Sequence, residues 1–244
     1  MGNTNYLFLY SGKTTRRRVQ LGISEAYNKA KNELAEDVTL ICVSKTRQIH
    51  EIKEAYASGA RDFGENKVQE LMEKFDSLDK SVRWHFIGHL QRNKVKYIVG
   101  KVHLIHSLDS IRLLNEIEKQ YGAKNEIAKV LIQVNIGKEN TKTGIAVEEL
   151  DSLIEYCEKC NNIKIHGLMA TIPIGNVENC RVFFKQMKSI FDNLKTIKYK
   201  NVTMEFLSLG MSGDYEIALE EGANMIRLGE KIFGKRDYKK LEVL

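Results

Sequence analysis

Residues 38–46 read VTLICVSKT. Six apolar or β-branched residues in a row, with no polar alternation and too short for a helix, form the pattern of a strand covered on both faces. The run stops at Ser44-Lys45-Thr46, so a lysine directly continues an apolar strand. Upstream, apolar periodicity predicts a helix from about Thr15 to Leu34; downstream the pattern alternates. Helical stretches at 49–58, 66–75, 91–98, 110–121, 147–158, 178–195 and 214–221 separate the short runs RDF, VRWHFI, VHLIHS, KVLIQVNI, IKIHGLM, TMEFLSL and NMIRLG. With VTLICV these make eight candidate strands, and strands alternating with helices imply parallel pairing. The expectation is an α/β fold, a (βα)8 TIM-type barrel with an extra N-terminal helix, with a doubly wound open sheet as the alternative. No linker rich in Gly, Ser or Pro interrupts it and the one proline is Pro173, so residues 15–244 are read as a single barrel after a loose N-terminal extension, 1–14.

Composition narrows the class. The chain is 43% hydrophobic and 29% charged, an ordinary globular balance, and it has no apolar run long enough to span a membrane. Its net charge of +6 arises from 38 basic against 32 acidic residues spread along the chain. Arg16-Arg17-Arg18, the densest basic run, reads as a solvated helix face, so no nucleic-acid partner is expected. The N-terminus fails three motif tests. Tyr6 stands where myristoylation needs Ser or Thr, YLFLY is too short for a secretory core, and Leu7 stands where a phosphate-cradling loop needs glycine. With four cysteines and no export signal, a cytoplasmic location with free thiols is expected. Cys157 and Cys160 have the spacing of a metal or redox pair, but they lie in an amphipathic helical pattern with no second pair nearby. The triplet Asn201-Val202-Thr203 carries no meaning in a cytosolic chain.

In a barrel, chemistry gathers where strands end. Ser44-Lys45-Thr46, Gly64-Glu65-Asn66, Gly88-His89, Asn135 with Gly137, and Met169-Ala170-Thr171 follow the runs VTLICV, RDF, VRWHFI, KVLIQVNI and IKIHGLM; SLGMSGD (208–214) and RLGE (227–230) close the last two. A strand-end lysine that is desolvated has a lowered pKa, leaving a neutral amine able to attack an aldehyde. The alternative is a lysine whose stem lies along the strand while its head reaches water. The last two loops of this fold commonly build a phosphate site. Here their glycines would let backbone N–H groups approach an anion, while Ser208 and Ser212 offer hydroxyl donors.

Seven ordered stretches carry a resemblance: VSKT (43–46), FGENKVQE (63–70), WHFIGHLQRNK (84–94), VNIGKENTKTG (134–144), HGLMA (166–170), LSLGMSGD (207–214) and IRLGEKIFG (226–234). On these the sequence resembles the pyridoxal-phosphate homeostasis protein family, whose barrel is similar to the N-terminal domain of alanine racemase. The resemblance covers nearly the whole chain from about residue 20. It implies pyridoxal 5′-phosphate as cofactor, with Lys45 as the amine that bonds its aldehyde and Arg227 facing the pyridine nitrogen. It further implies Ser208, Ser212 and Gly229 near the phosphate, Asn66 close to the ring, Met169 lining the pocket, and Met211 among the cofactor-binding residues.

An arginine opposite the ring nitrogen opposes protonation there and makes the ring a weaker electron sink. The function implied is therefore a protein that carries or buffers the cofactor for intracellular homeostasis without catalytic turnover, with apo-enzymes that use the cofactor as partners. The alternative is a racemase of weak or narrow activity, which needs proton donors and acceptors on both faces of the substrate carbon. Racemases place the opposing tyrosine on a second β-rich domain, and Tyr238 in the short tail offers no reason to be recruited as that base. A barrel binding another phosphorylated metabolite remains a third reading, in which Lys45 is incidental. His89 could touch a ligand, whereas His85, His103, His106 and His166 fall within strand runs and are read as satisfying packing or hydrogen bonds, without the spacing of a metal site. A monomer is expected.

Overall fold

A computed structural model describes residues 21–138, 143–173 and 175–235. Its eight strands run parallel and close in sequence order into a barrel. They are β1 (Thr39–Val43), β2 (Asp62–Glu65), β3 (Arg83–Phe86), β4 (Leu104–Leu108), β5 (Ala128–Gln133), β6 (Ile163–Met169), β7 (Val202–Ser208) and β8 (Met225–Leu228). Closure is made by β1 against β8, in register from Thr39↔Met225 to Cys42↔Leu228. The helices are α1 (Ile23–Asn32), α2 (Ile49–Ala57), α3 (Val68–Phe75), α4 (Val95–Ile98), α5 (Ile111–Gly122), α6 (Leu150–Glu158), α7 (Val177–Lys195), α8 (Tyr215–Glu220) and α9 (Glu230–Phe233). None is long and apolar enough to cross a membrane.

The continuous apolar runs have a direct cause. Residues alternate between the barrel interior and the helix-covered outside, and both sides are buried. Leu40, Cys42, Phe63, Trp84, Phe86 and Ile226 belong to the large core between strands and helices, whereas Ile41, Leu104, Leu131, Met169 and Met225 form a second cluster with the half-buried Phe206.

Three expectations need correction. The extra N-terminal helix is present but begins at Ile23, because Gly22 is extended (φ −61°, ψ 158°) and cuts off the longer helix expected from Thr15. Residues 15–20, the extension 1–14, the run Arg16-Arg17-Arg18 and Tyr238 lie outside the described residues. The helical stretches at 91–98 and 147–158 each start as a 3-10 turn, Arg92–Lys94 and Val147–Glu149. Finally, α9 was not expected from the sequence. Four residues are too few to show a periodicity, and α9 is held by α1 packed against it.

Gly167 sits in β6 opposite Phe206 with φ 143°, a conformation that L side chains rarely adopt. A Cβ there would lie 1.9 Å from the Phe206 carbonyl oxygen. Gly167→Ala should cost roughly 3 kcal/mol or more, measured as a drop in the urea midpoint; an unchanged midpoint would show that β6 and β7 do not approach this closely.

Candidate functional site

The backbone that carries Lys45 is clamped from below. The fully buried Ser44 hydroxyl donates to Glu65 Oε1 at 2.6 Å. Lys74, one turn beyond Glu70 on α3, donates from Nζ to the Ser44 carbonyl (2.9 Å), Glu65 Oε1 (2.9 Å) and Glu70 Oε1 (2.6 Å). The Thr46 N–H donates to the same Glu70 oxygen, and Thr46 has a φ of 65°. The residues on both sides of Lys45 are thus pinned, one by its carbonyl and hydroxyl and the other by its amide. Burial pushes the Glu65 carboxyl above the usual range despite the Lys74 ammonium beside it, and its second oxygen has no hydrogen-bond partner.

Lys45 is half-buried at the mouth, next to the closing strand. A Cβ on Gly229, the N-cap of α9, would lie 3.4 Å from Val43 Cβ. Arg227, inside β8, is buried; its Nη1 donates to the Ser208 carbonyl (2.8 Å) and Ser208 Oγ (2.7 Å), and its Nη2 to the Ala170 carbonyl (3.0 Å). Burial lowers its pKa to about 10, against a smaller upward pull from Asp214. Met169 precedes the carbonyl that Arg227 grips and is buried in the barrel. Strands β1, β8, β7 and β6 therefore gather Lys45, Arg227, Ser208 and Met169 at one end. The loop after β7 brings Ser212, whose hydroxyl accepts from the Lys231 N–H at 3.4 Å, and the exposed Met211. On the other flank, Asn66 follows β2 and its Oδ1 is buried without a partner.

Inside the barrel the structure adds residues that the sequence did not single out as a site. Ser208 Oγ, offered by the sequence as a phosphate donor, is 3.2 Å from His106 Nδ1; His106 Nε2 is 3.0 Å from His85 Nδ1; and His85 Nε2 is 3.0 Å from Asp62 Oδ1. Arg83 caps the far end with its Nε 2.7 Å from the same Asp62 oxygen. The signal available was position: His85 and Arg227 stand in register with Leu104 and Ile41 of the apolar interior, where a polar residue needs a partner. Burial alone would raise the Asp62 pKa, but hydrogen bonds from His85 and Arg83 outweigh it and hold it at about 2. Burial, the neighbouring His85 and the Arg227 cation push His106 well below the usual imidazole range.

Other sequence candidates resolve more simply. His89 is exposed, with Nδ1 3.1 Å from Asp109 Oδ2, and lines a cavity of about 330 Å³ with Asn66, Phe86 and Lys94. Cys157 and Cys160 are buried and free, and burial pushes their thiols up to about 12 and about 11. Such thiols are unreactive. No group of His, Cys, Asp or Glu among the described residues could hold a metal ion.

A parallel barrel with a pinned lysine after its first strand and a buried arginine in its last is matched from residue 23 to 237 by the family model of the alanine racemase N-terminal domain. Within that class, the chain belongs to the family of pyridoxal phosphate homeostasis proteins. It is 45% identical to the protein of that name from Aquifex aeolicus, across 82% of this chain and 87% of that one. It is 40% identical to the one from Escherichia coli K12, across 84% and 88%. PipY of Synechococcus elongatus, solved with pyridoxal phosphate bound, superposes with a TM-score of 0.80 at 32% identity, covering 87% of this chain and all of that one. Alanine racemase from Corynebacterium glutamicum, at 12% identity and a TM-score of 0.73, shares the fold over 88% of this chain and 61% of its own.

Because the folded pKa of Asp62 lies below the ordinary 3.8, its contribution is complete above about pH 4 and is lost as the pH falls toward about 2. The stability gap between the wild type and Asp62→Asn should narrow by roughly 2 kcal/mol across that window, read from urea denaturation at stepped pH. A gap that stays constant would mean that Asp62 is not held ionised.

Proposed function

We propose that this protein holds pyridoxal 5′-phosphate at the C-terminal mouth of its barrel and takes it up and releases it as a cofactor reservoir, without turning over a substrate. The observation that carries this reading is Arg227. It is a buried guanidinium whose contacts among the described residues are neutral oxygens, set beside the strand that ends in Lys45. A cation left without a direct carboxylate in a closed barrel is costly unless something anionic or electron-rich comes to it. The orphaned Asn66 Oδ1 asks for a partner at the same mouth. Lysine, arginine, the Ser212 hydroxyl and a glycine-rich loop are the donor set that an aromatic aldehyde with a phosphate tail requires.

In this reading Lys45 is the covalent anchor, and its pinned neighbours hold the amine where the aldehyde arrives. Arg227 faces the ring nitrogen, and Ser208 holds Arg227. Ser212 and the backbone at Gly229 would take the phosphate, Met211 would contribute to the same site, and Met169 and Asn66 would bound the ring. When bound, the cofactor supplies a reactive aldehyde conjugated to an electron-withdrawing ring. Arg227, being permanently charged, opposes proton gain at the nitrogen it faces and so weakens that withdrawal. A site arranged in this way favours storage over carbanion chemistry, and it suits a cytoplasmic monomer that passes the cofactor to apo-enzymes.

Wild-type protein loaded with pyridoxal phosphate and reduced with borohydride should carry a pyridoxyl adduct on Lys45 in mass spectrometry, and Lys45→Ala should fold and carry none. An adduct elsewhere, or none in the wild type, would end the assignment. Arg227→Ala should lose the cofactor faster on gel filtration, by about tenfold or more. Incubation with a panel of amino acids in D₂O should leave Cα unlabelled, since sustained deuterium incorporation is the mark of the racemase alternative.

A further inference from the structure

Five polar residues inside the barrel form a line from one end to the other: Arg227, Ser208, His106, His85, Asp62. Its two ends fix its direction. A guanidinium can only donate, so Ser208 Oγ accepts from it; an ionised carboxylate can only accept, so His85 Nε2 donates to Asp62. Between them stand four links and, with one hydrogen on each imidazole, four hydrogens. Arg227 supplies one, the Ser208 hydroxyl one to His106 Nδ1, His106 Nε2 one to His85 Nδ1, and His85 Nε2 the last. Every link is filled once. An added proton on either ring would reverse the links between that ring and Ser208 and push the Ser208 hydrogen off the line.

We propose that His106 and His85, backed by Asp62, are positioning residues that hold the Arg227 guanidinium toward the pocket through Ser208, by a hydrogen-bond line whose direction is set by its charged ends. The inference rests on the reading that Arg227 faces the cofactor ring. The line links a buried cation to a buried carboxylate through neutral dipoles all pointing one way, the arrangement in which successive hydrogen bonds strengthen one another. The groups facing the two rings are Asp62 on β2, Arg83 on β3, His103 before β4 with Lys129 of β5 behind it, and Arg227 on β8. Of the charged groups, all but Asp62 oppose a second proton on the rings. Burial and the His85 ring lower His103 itself to about 4, so it adds no charge near neutrality.

The line can be tested with and without cofactor. In apo-protein carrying ¹⁵N-labelled histidine, long-range ¹H–¹⁵N spectra should show a proton on Nε2 and none on Nδ1 of both His85 and His106. A proton on Nδ1 of either ring, or a charged His106, overturns the proposal whatever the protein binds. With pyridoxal phosphate bound, His106→Leu should shift the absorption band and speed cofactor loss by about tenfold. His106→Gln, which can accept from Ser208 and donate to His85, should restore both to near the wild type. Ser208→Ala, a small truncation, should reproduce the shift, and adding His106→Leu to it should change nothing further, since the two act along one path. Additive effects, or a His106→Leu protein that melts earlier yet keeps the wild-type band and retention, overturn the proposal. If wild-type protein yields no adduct on Lys45, the cofactor reading fails by itself, and the imidazole spectra still decide the line.

Discussion

The ammonium of Lys74 is the contact on which the candidate site depends. It sits almost fully buried between two carboxylates and a main-chain carbonyl, and through them it joins the end of β1, the end of β2 and helix α3. Burying such charges costs more than the attraction between them returns unless every partner is in place, so the network contributes placement more than stability. Its spacing is cheap to encode. Glu70 and Lys74 are one helical turn apart, and Glu65 ends the strand that leads into the same helix. The result is a strand end with no freedom to swing, and Lys45 stands in the middle of it.

The barrel interior solves a different problem. An eight-stranded barrel encloses a volume that side chains must fill. Here Ile41, Leu104, Leu131, Met169 and Met225 fill part of it, and the line from Asp62 to Arg227 fills another. A polar line is tolerable in such a place only when each member is satisfied, and it then gives a rigidity that an apolar filling does not. The two halves of the interior divide the work: one supplies burial, the other direction.

Much of this was legible in the sequence because the strands of a closed barrel are covered on both sides. VTLICV, IKIHGLM and NMIRLG announce themselves as continuous runs, and each ends at a residue with chemistry to offer. Lys45, Ser212 and Arg227 could be named from that rule together with the family resemblance. What stayed hidden is what spacing does not encode. Lys74 looks like any lysine on an amphipathic helix until the fold turns it inward, and Asp62 stands beside Arg61 like an ordinary surface pair. His85 and His106 read from the sequence as strand residues that satisfy packing or hydrogen bonds, and only closure of the sheet shows that they bond to each other. The start of α1 was misplaced because periodicity does not register the extended backbone of one glycine, and α9 is too short to have a period.

Arg227 also fastens the wall in which it stands. Strands β7 and β8 share one registered pair, Ser208↔Met225, after which the Arg227 N–H reaches Gly210, while its side chain grips the carbonyls of Ser208 and Ala170 on the next two strands. An exchange of this arginine for a carboxylate would therefore set negative charge against two main-chain oxygens and unstitch the seam. In this scaffold, the sign of the charge at that position is fixed by masonry.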